Sequence, residues 1–234
     1  METFGSSGLL EWTGPILSGA LVTIQMAIAA YLIGLVLGLL GATAKLSGSR
    51  ALKGLATGYT TIVRAVPELL LIIILYYSGQ QALNALLQWL EVEGTYDISG
   101  FAAAIAVLAV VEGAYLTEIF RGAILAIPRG HIEAADAFGM TRRQRFRRII
   151  LPEMLPNALS GMSNIWLILV KDTALVSVVG FQELFFTTQQ AAASTRSYFI
   201  FYAAAGVIYL LMTMTSNVFF NRVERRVRRG QPGV

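Results

Sequence analysis

Between Trp12 and Ala44 there is no Asp, Glu, Lys or Arg, and four further stretches come close to that state. Ala65 to Leu90 carries only Glu68, Ile98 to Phe120 only Glu112 and Glu118, and Met154 to Val179 only the neighbours Lys171 and Asp172; Ser197 to Asn221 carries none. About 20 mainly apolar residues, rising about 1.5 Å each, carry a helix across the ~30 Å hydrocarbon core of a bilayer. The runs therefore predict an all-α membrane protein with five transmembrane helices, near 16–43, 56–79, 99–119, 156–179 and 198–221, in one domain covering 1–234. Composition closes the alternatives. Charged residues make up 14% of the chain, against about 25% in a soluble domain, and there is no cysteine. A soluble enzyme, a disordered regulator and a disulfide-stapled scaffold are excluded. The first apolar run is too long for a cleaved signal, and no basic segment precedes it.

Lys and Arg mark the cytoplasmic side of a membrane protein. The connection after the first span holds Lys45, Arg50, Lys53 and Arg64. The connection between spans three and four holds Arg121, Arg129, Arg142, Arg143, Arg145, Arg147 and Arg148, and the C-terminal tail holds Arg222, Arg225, Arg226, Arg228 and Arg229. Of the 18 basic residues only Lys171 and Arg196 lie elsewhere. An odd number of spans, with the N-terminus outside and the C-terminus cytoplasmic, satisfies this pattern. The basic clusters abut spans and lack aromatic interleaving, so membrane lipid and topology account for them, and no nucleic acid is expected as a partner.

The longest polar segment, about 121–153, contains GHIEAADAFGMTRRQRFRRIILPEMLP. Helix formers run from Ile132 to Phe138, Gly139 stops them, Thr141 caps a second, basic helix, and Pro152 ends that helix. Ala134 and Ala135 allow another surface to approach closely, with Glu133 beside them. On these residues alone the segment reads either as an amphipathic anchor on anionic headgroups or as a docking element. The spacing adds more. Glu133-Ala134-Ala135, then Gly139, then Ile149-x-Leu151-Pro152 resembles the EAA loop of ABC-importer permeases at every position. YTTIVRAVPELLLIIILYYSG is similar to the RGxPELL-type segment of polar amino-acid permeases, with Ala65 in place of the family's Gly. GAYLTEIFRGAI and LVKDTALVSVVG resemble the same family, closest in the branch importing histidine, lysine, arginine, ornithine and opines.

That resemblance implies a type I ABC importer permease fold in a bacterial inner (cytoplasmic) membrane. It implies ATPase coupling by Glu133, Ala134, Ala135, Gly139, Leu151 and Pro152. It also implies three partners: a second permease subunit, identical or related, a homodimeric ATP-binding subunit, and a periplasmic or extracellular amino-acid-binding protein. The chain itself offers no nucleotide site, because its lysines follow Ala44, Leu52 and Val170 and none completes a Gly-Lys-Ser/Thr P-loop. ATP and Mg are thus expected on the partner ATPase, with no cofactor, metal site or catalytic residue here. The single histidine, His131, reads as a solvent-facing or interface residue. Two other readings stay open: a permease for another small solute such as methionine or a compatible solute, and a channel subunit of a different class.

Ionisable groups within spans are costly in lipid and so face a cavity or a partner. Glu118 and Arg121 are three apart and can pair, and Arg64, Pro67 and Glu68 form a second structural or gating group. Glu112 lies midway along the third span with no base one turn away, and Tyr115 lies on its face. A carboxylate beside an aromatic ring suits a guanidinium or ammonium group; pairing with Lys171, or simple protonation, is the competing reading. Lys171 and Asp172 point about 100° apart. With Glu112 and Tyr115 they form the candidate substrate-binding set.

Overall fold

The computed structural model describes residues 6–90 and 99–228; Arg229 and much of the loop expected at 80–98 lie outside the described residues. Five helices have the length and apolar character to cross a membrane. The first, α1 (Ser6–Lys45), is followed by a short α2 (Arg50–Ala65), and by the second spanning helix α3 (Glu68–Trp89). The third span is α4 (Gly100–Leu125); α5 (Arg129–Ala137) and α6 (Arg142–Arg145) follow. A π-helical turn, Phe146–Ile150, leads into α7 (Leu151–Asp172), which tightens into a 3-10 turn at Thr173–Val179. The chain closes with α8 (Leu184–Thr195) and the long α9 (Tyr198–Arg228).

The second span lies farther along the chain than the sequence predicts, and the cause is local. Val66 is extended (φ −97°, ψ 140°) because the following Pro67 disfavours helical geometry in the residue before it. The helix therefore stops at Ala65 and restarts at Glu68, and residues 56–65 belong to the amphipathic α2. Ser49 caps α2 by accepting from the Leu52 amide. Pro152 corrects a second expectation: it does not end the basic helix. The π turn ahead of it widens the helix, the proline takes an N-terminal position of α7, and the helical path runs unbroken from Arg142 to Val179. Third, the connection between the fourth and fifth spans contains a helix, α8, which is too short to span.

α4 is the most deeply buried span, while α3 and α9 leave most of their surface uncovered. Its main partner is α1, and the packing rests on glycine. A Cβ on Gly38 would stand 2.6 Å from the Leu116 Cβ, and one on Gly41 would stand 2.3 Å from the Thr117 Oγ1. The GxxxG of Gly34 and Gly38 thus brings two helices of one subunit together. Met26, Ala27, Ala30, Leu108, Leu116, Phe120 and Leu169 fill the core between α1, α4 and α7.

A second, smaller cluster ties α8 to α1 and α9 through Ile16, Ala20, Leu184 and Phe201. At its edge Gly19 lets α1 approach the backbone of Glu183 and Leu184, 3.0–3.1 Å from a notional Cβ. One turn later Thr23 reaches the buried Glu183 carboxylate, donating at 3.1 Å.

Candidate functional site

Three chain features converge on one place within the bundle. Glu68 opens α3 directly after the Val66–Pro67 break, Glu112 sits midway along α4, and Asp172 ends α7 where the α-helix tightens to 3-10. The three carboxyl groups are near enough for each to act electrostatically on another. Glu112 is 1% exposed, and no donor from outside the acid cluster reaches either of its oxygens among the described residues; its carboxyl instead meets that of Asp172, whose Oδ2 is likewise without a donor. A buried carboxylate without donors is far less stable than one in water, so such a group calls for a cation or a proton.

Among the described residues no cation pairs with Glu112. The competing pairing with Lys171 is not made: Lys171 is exposed, and none of the ion pairs among the described residues joins it to Glu112. Its charge instead acts on the adjacent Asp172. Tyr115 does lie by the cluster, beside Glu68, but one face of its ring is already taken by the chain's own Arg64 guanidinium, 5.7 Å from the centroid. Arg64 and Glu68 are consequently not a one-turn helical pair. They stand on either side of Pro67, at the end of α2 and the start of α3. The four residues expected to meet substrate therefore separate: Glu112, Asp172 and Tyr115 come together with Glu68, and Lys171 faces outward.

Closer to the basic end of the bundle, Glu118 accepts from Arg121 Nε at 2.9 Å, and also from Lys45. The Lys45 ammonium additionally donates to Thr60 Oγ1 at 2.5 Å. The i,i+3 pair was visible in sequence; the second cation was not. Its only signal was that Lys45 ends the first charge-free run. One carboxylate thereby joins the ends of α1 and α4, and Thr60 brings in α2.

The exposed basic end carries the second candidate site. Gly139, with φ 67°, ends α5, and Thr141 begins α6 with a capping box in which its hydroxyl accepts from the Gln144 amide at 3.3 Å while Gln144 Oε1 accepts from the Thr141 amide at 2.9 Å. Asp136 pairs with Arg145 across the turn, and His131 Nδ1 lies 2.7 Å from Glu153 Oε2, tying α5 to the start of α7. Ala135 is 3% exposed and faces the protein, while Glu133, Ala134 and Phe138 are exposed on α5, the last at 85%. Leu151 is half-buried and Pro152 exposed at the beginning of α7.

Sequence reasoning passed over Glu183, which is fully buried and accepts from Thr23 Oγ1, the Phe185 and Phe186 amides and Tyr209 Oη at 2.8–3.3 Å. The signal available was an acid immediately before an apolar helical run, the position of an N-cap.

Known proteins share this arrangement along nearly its whole length. The histidine/lysine/arginine/ornithine transport system permease protein HisQ of Escherichia coli (strain K12) is 45% identical over 218 residues, covering 93% of this chain and 95% of HisQ. The octopine transport system permease protein OccQ of Agrobacterium tumefaciens (strain Ach5) is 40% identical over 232 residues, covering 99% of this chain and 97% of OccQ. Among solved structures, an amino acid ABC transporter crystallised with histidines superimposes with a TM-score of 0.77 at 31% identity, covering 93% of this chain and 96% of that one. The methionine ABC transporter MetNI, in an inward-facing conformation, shares the fold at a TM-score of 0.73 and 22% identity, over 96% of this chain and all of its counterpart. Residues 30–229 match the family described as binding-protein-dependent transport system inner membrane component, and the chain belongs to that family.

Proposed function

We propose that this chain is the permease subunit of an ATP-driven importer for polar amino acids with a cationic side chain, or for opines, and that Glu112 receives the cationic group. One observation carries the substrate class: a fully buried carboxylate that no donor from outside the acid cluster reaches among the described residues, flanked by Glu68 and Asp172. A guanidinium, imidazolium or ammonium group supplies the missing charge, and a guanidinium fits a carboxylate through two parallel hydrogen bonds. In this reading Asp172 holds the substrate's α-amine, and Arg64, over the Tyr115 ring, takes its α-carboxylate. Relatives whose names specify histidine, lysine, arginine, ornithine and octopine support the same class.

The proposed mechanism is alternating access. The basic end is cytoplasmic, by the distribution of Lys and Arg. A binding protein delivers substrate at the opposite end, and a second permease, identical or related, completes the path beside the uncovered α3. The ATPase docks on Glu133, Ala134 and Phe138 of α5 and binds ATP and Mg itself. Closure of its two copies moves α5 and reorients the spans.

The test uses the assembled transporter, with ATPase and binding protein, reconstituted in proteoliposomes. Glu112→Gln removes one charge-assisted contact of about 1.5–3 kcal/mol, which lowers labelled arginine and histidine uptake by roughly tenfold or more. Unchanged uptake of both would refute the assignment of Glu112.

A further inference from the structure

A groove of about 770 Å3 runs between α1 and α9, with α7 as its floor. Its lining is almost wholly apolar, and the few polar groups it holds are already occupied. Tyr31 Oη donates to the Met162 carbonyl at 2.8 Å, and Trp166 Nε1 donates to Ser216 Oγ at 2.8 Å. The hydroxyls of Thr215 and Ser216 donate to the Leu211 and Met212 carbonyls at 2.8 and 2.7 Å. No donor is left to recognise a polar ligand, so the groove fits a hydrocarbon chain. Its extent agrees: from Ile208 to Phe220 the α9 wall rises roughly 18 Å, close to the ~15 Å of one leaflet.

The lower end of the groove is not apolar. With about 100° per residue, the face of α9 that lines it continues directly onto Arg226, with Arg222 at its edge. Both are exposed, and neither takes part in an ion pair with a described residue. Helical side chains lean toward the helix N-terminus, which for these arginines is toward the groove. Glu224 projects from the opposite side of the helix. A hydrocarbon slot one leaflet long, ending in two guanidinium groups that pair with no described residue, is complementary to one kind of molecule. We propose that it is a specific anionic-phospholipid site, in which an acyl chain lies against Trp166 while Arg222 and Arg226 hold the phosphate.

The assembled transporter is reconstituted in phosphatidylcholine vesicles containing a small fraction of either phosphatidylglycerol or phosphatidylcholine that carries a diazirine in its acyl chain. Irradiation is followed by peptide mapping. Labelling of Trp166 and the 208–220 segment is normalised to that of the exposed Leu17 and Leu21 on α1. One basic residue near the headgroup favours anionic lipid by roughly fivefold, so phosphatidylglycerol should label the groove at least about fivefold more than phosphatidylcholine. The double variant Arg222→Gln/Arg226→Gln should bring the two lipids level, and Arg222→Lys/Arg226→Lys should keep most of the preference. Equal labelling by both lipids in the unaltered protein overturns the proposal, because the groove would then hold ordinary annular lipid. Labelling by neither also overturns it, since a protein surface such as the second permease would then cover the groove. The comparison in the unaltered protein decides the matter even where the Gln variant fails to assemble.

Discussion

Two glutamates of this chain are buried to the same degree and held in opposite ways. Glu112 has no donor from outside the acid cluster on either oxygen among the described residues, whereas Glu183 accepts four hydrogen bonds, three of them on Oε2. The first is the group we propose as the cation site; the second is a cross-brace joining α1, α8 and α9. Glu183→Ala leaves four donors without an acceptor and should destabilise the protein by about 3 kcal/mol or more. Glu183→Gln, with its amide oxygen at the Oε2 position, keeps three of the four and should cost much less. Thermal unfolding of the purified protein in detergent ranks the two; equal losses would mean that only the volume of the side chain matters. Burial pushes the Glu183 carboxyl above the ordinary glutamate range, against the four donors that pull it down. Because the folded value lies above the unfolded one, the contribution of this group is fully present below the unfolded value of about 4.3 and declines as pH rises through the folded value. The Gln variant should lose that slope of stability with pH. Glu112 was legible in sequence because an acid in mid-span is costly in lipid and so stands out against an otherwise apolar run. Glu183 was not, since an acid in a connection between spans is unremarkable until its donors, from elements far apart in the chain, are brought to it.

At the scale of elements, the existence of the spans could be read from the charge-free runs, because hydrocarbon thickness imposes a length that few other structures need. Their ends depended on local chemistry of a finer grain. Val66–Pro67 splits one predicted span into α2 and the start of α3, and the π turn at Phe146–Ile150 carries a helix through Pro152. The apolar and short α8 is legible neither as a span nor as a turn. GxxxG was ambiguous between packing within one subunit and packing between two, and contact distances resolve it. A Cβ on Gly38 meets the Leu116 Cβ at 2.6 Å and its backbone carbonyl carbon at 3.1 Å, whereas one on Gly34 first meets the far end of the Leu116 side chain at 3.4 Å. Gly38→Ala should therefore force α1 from α4 and cost roughly 1–3 kcal/mol, with Gly34→Ala nearly neutral. Melting temperatures of the two variants in the same detergent check this; a neutral Gly38→Ala would show that the α1–α4 contact is looser than these distances require.

For the whole molecule the question is how a surface at the basic end reaches a carboxylate cluster inside the membrane, and connectivity answers it. Only Ala126, Ile127 and Pro128 separate α5 from α4, the helix of Glu112, and α6 continues through the π turn into α7, which ends at Asp172. α5, the proposed docking helix, is thus strung between the helices of Glu112 and Asp172, joined directly to the first and through α6 and the π turn to the second. The EAA spacing marks the segment for which docking is proposed, but its attachment to α7 is hidden in the sequence by Pro152, which reads as a stop. The joint that lets α5 turn against α6 is Gly139, at φ 67°, where a Cβ would meet nothing within 4 Å. A substitution there acts through backbone conformation alone. Gly139→Leu must adopt a left-handed geometry that costs a branched side chain about 1–2 kcal/mol, while Gly139→Asn tolerates it. In the assembled transporter, the Leu variant should lose most of the ATPase activity stimulated by substrate-loaded binding protein, and the Asn variant should retain it. If both variants hydrolyse ATP like the unaltered protein, this turn does not set the position of α5, and docking on Glu133, Ala134 and Phe138 is the wrong account of how the motor is engaged.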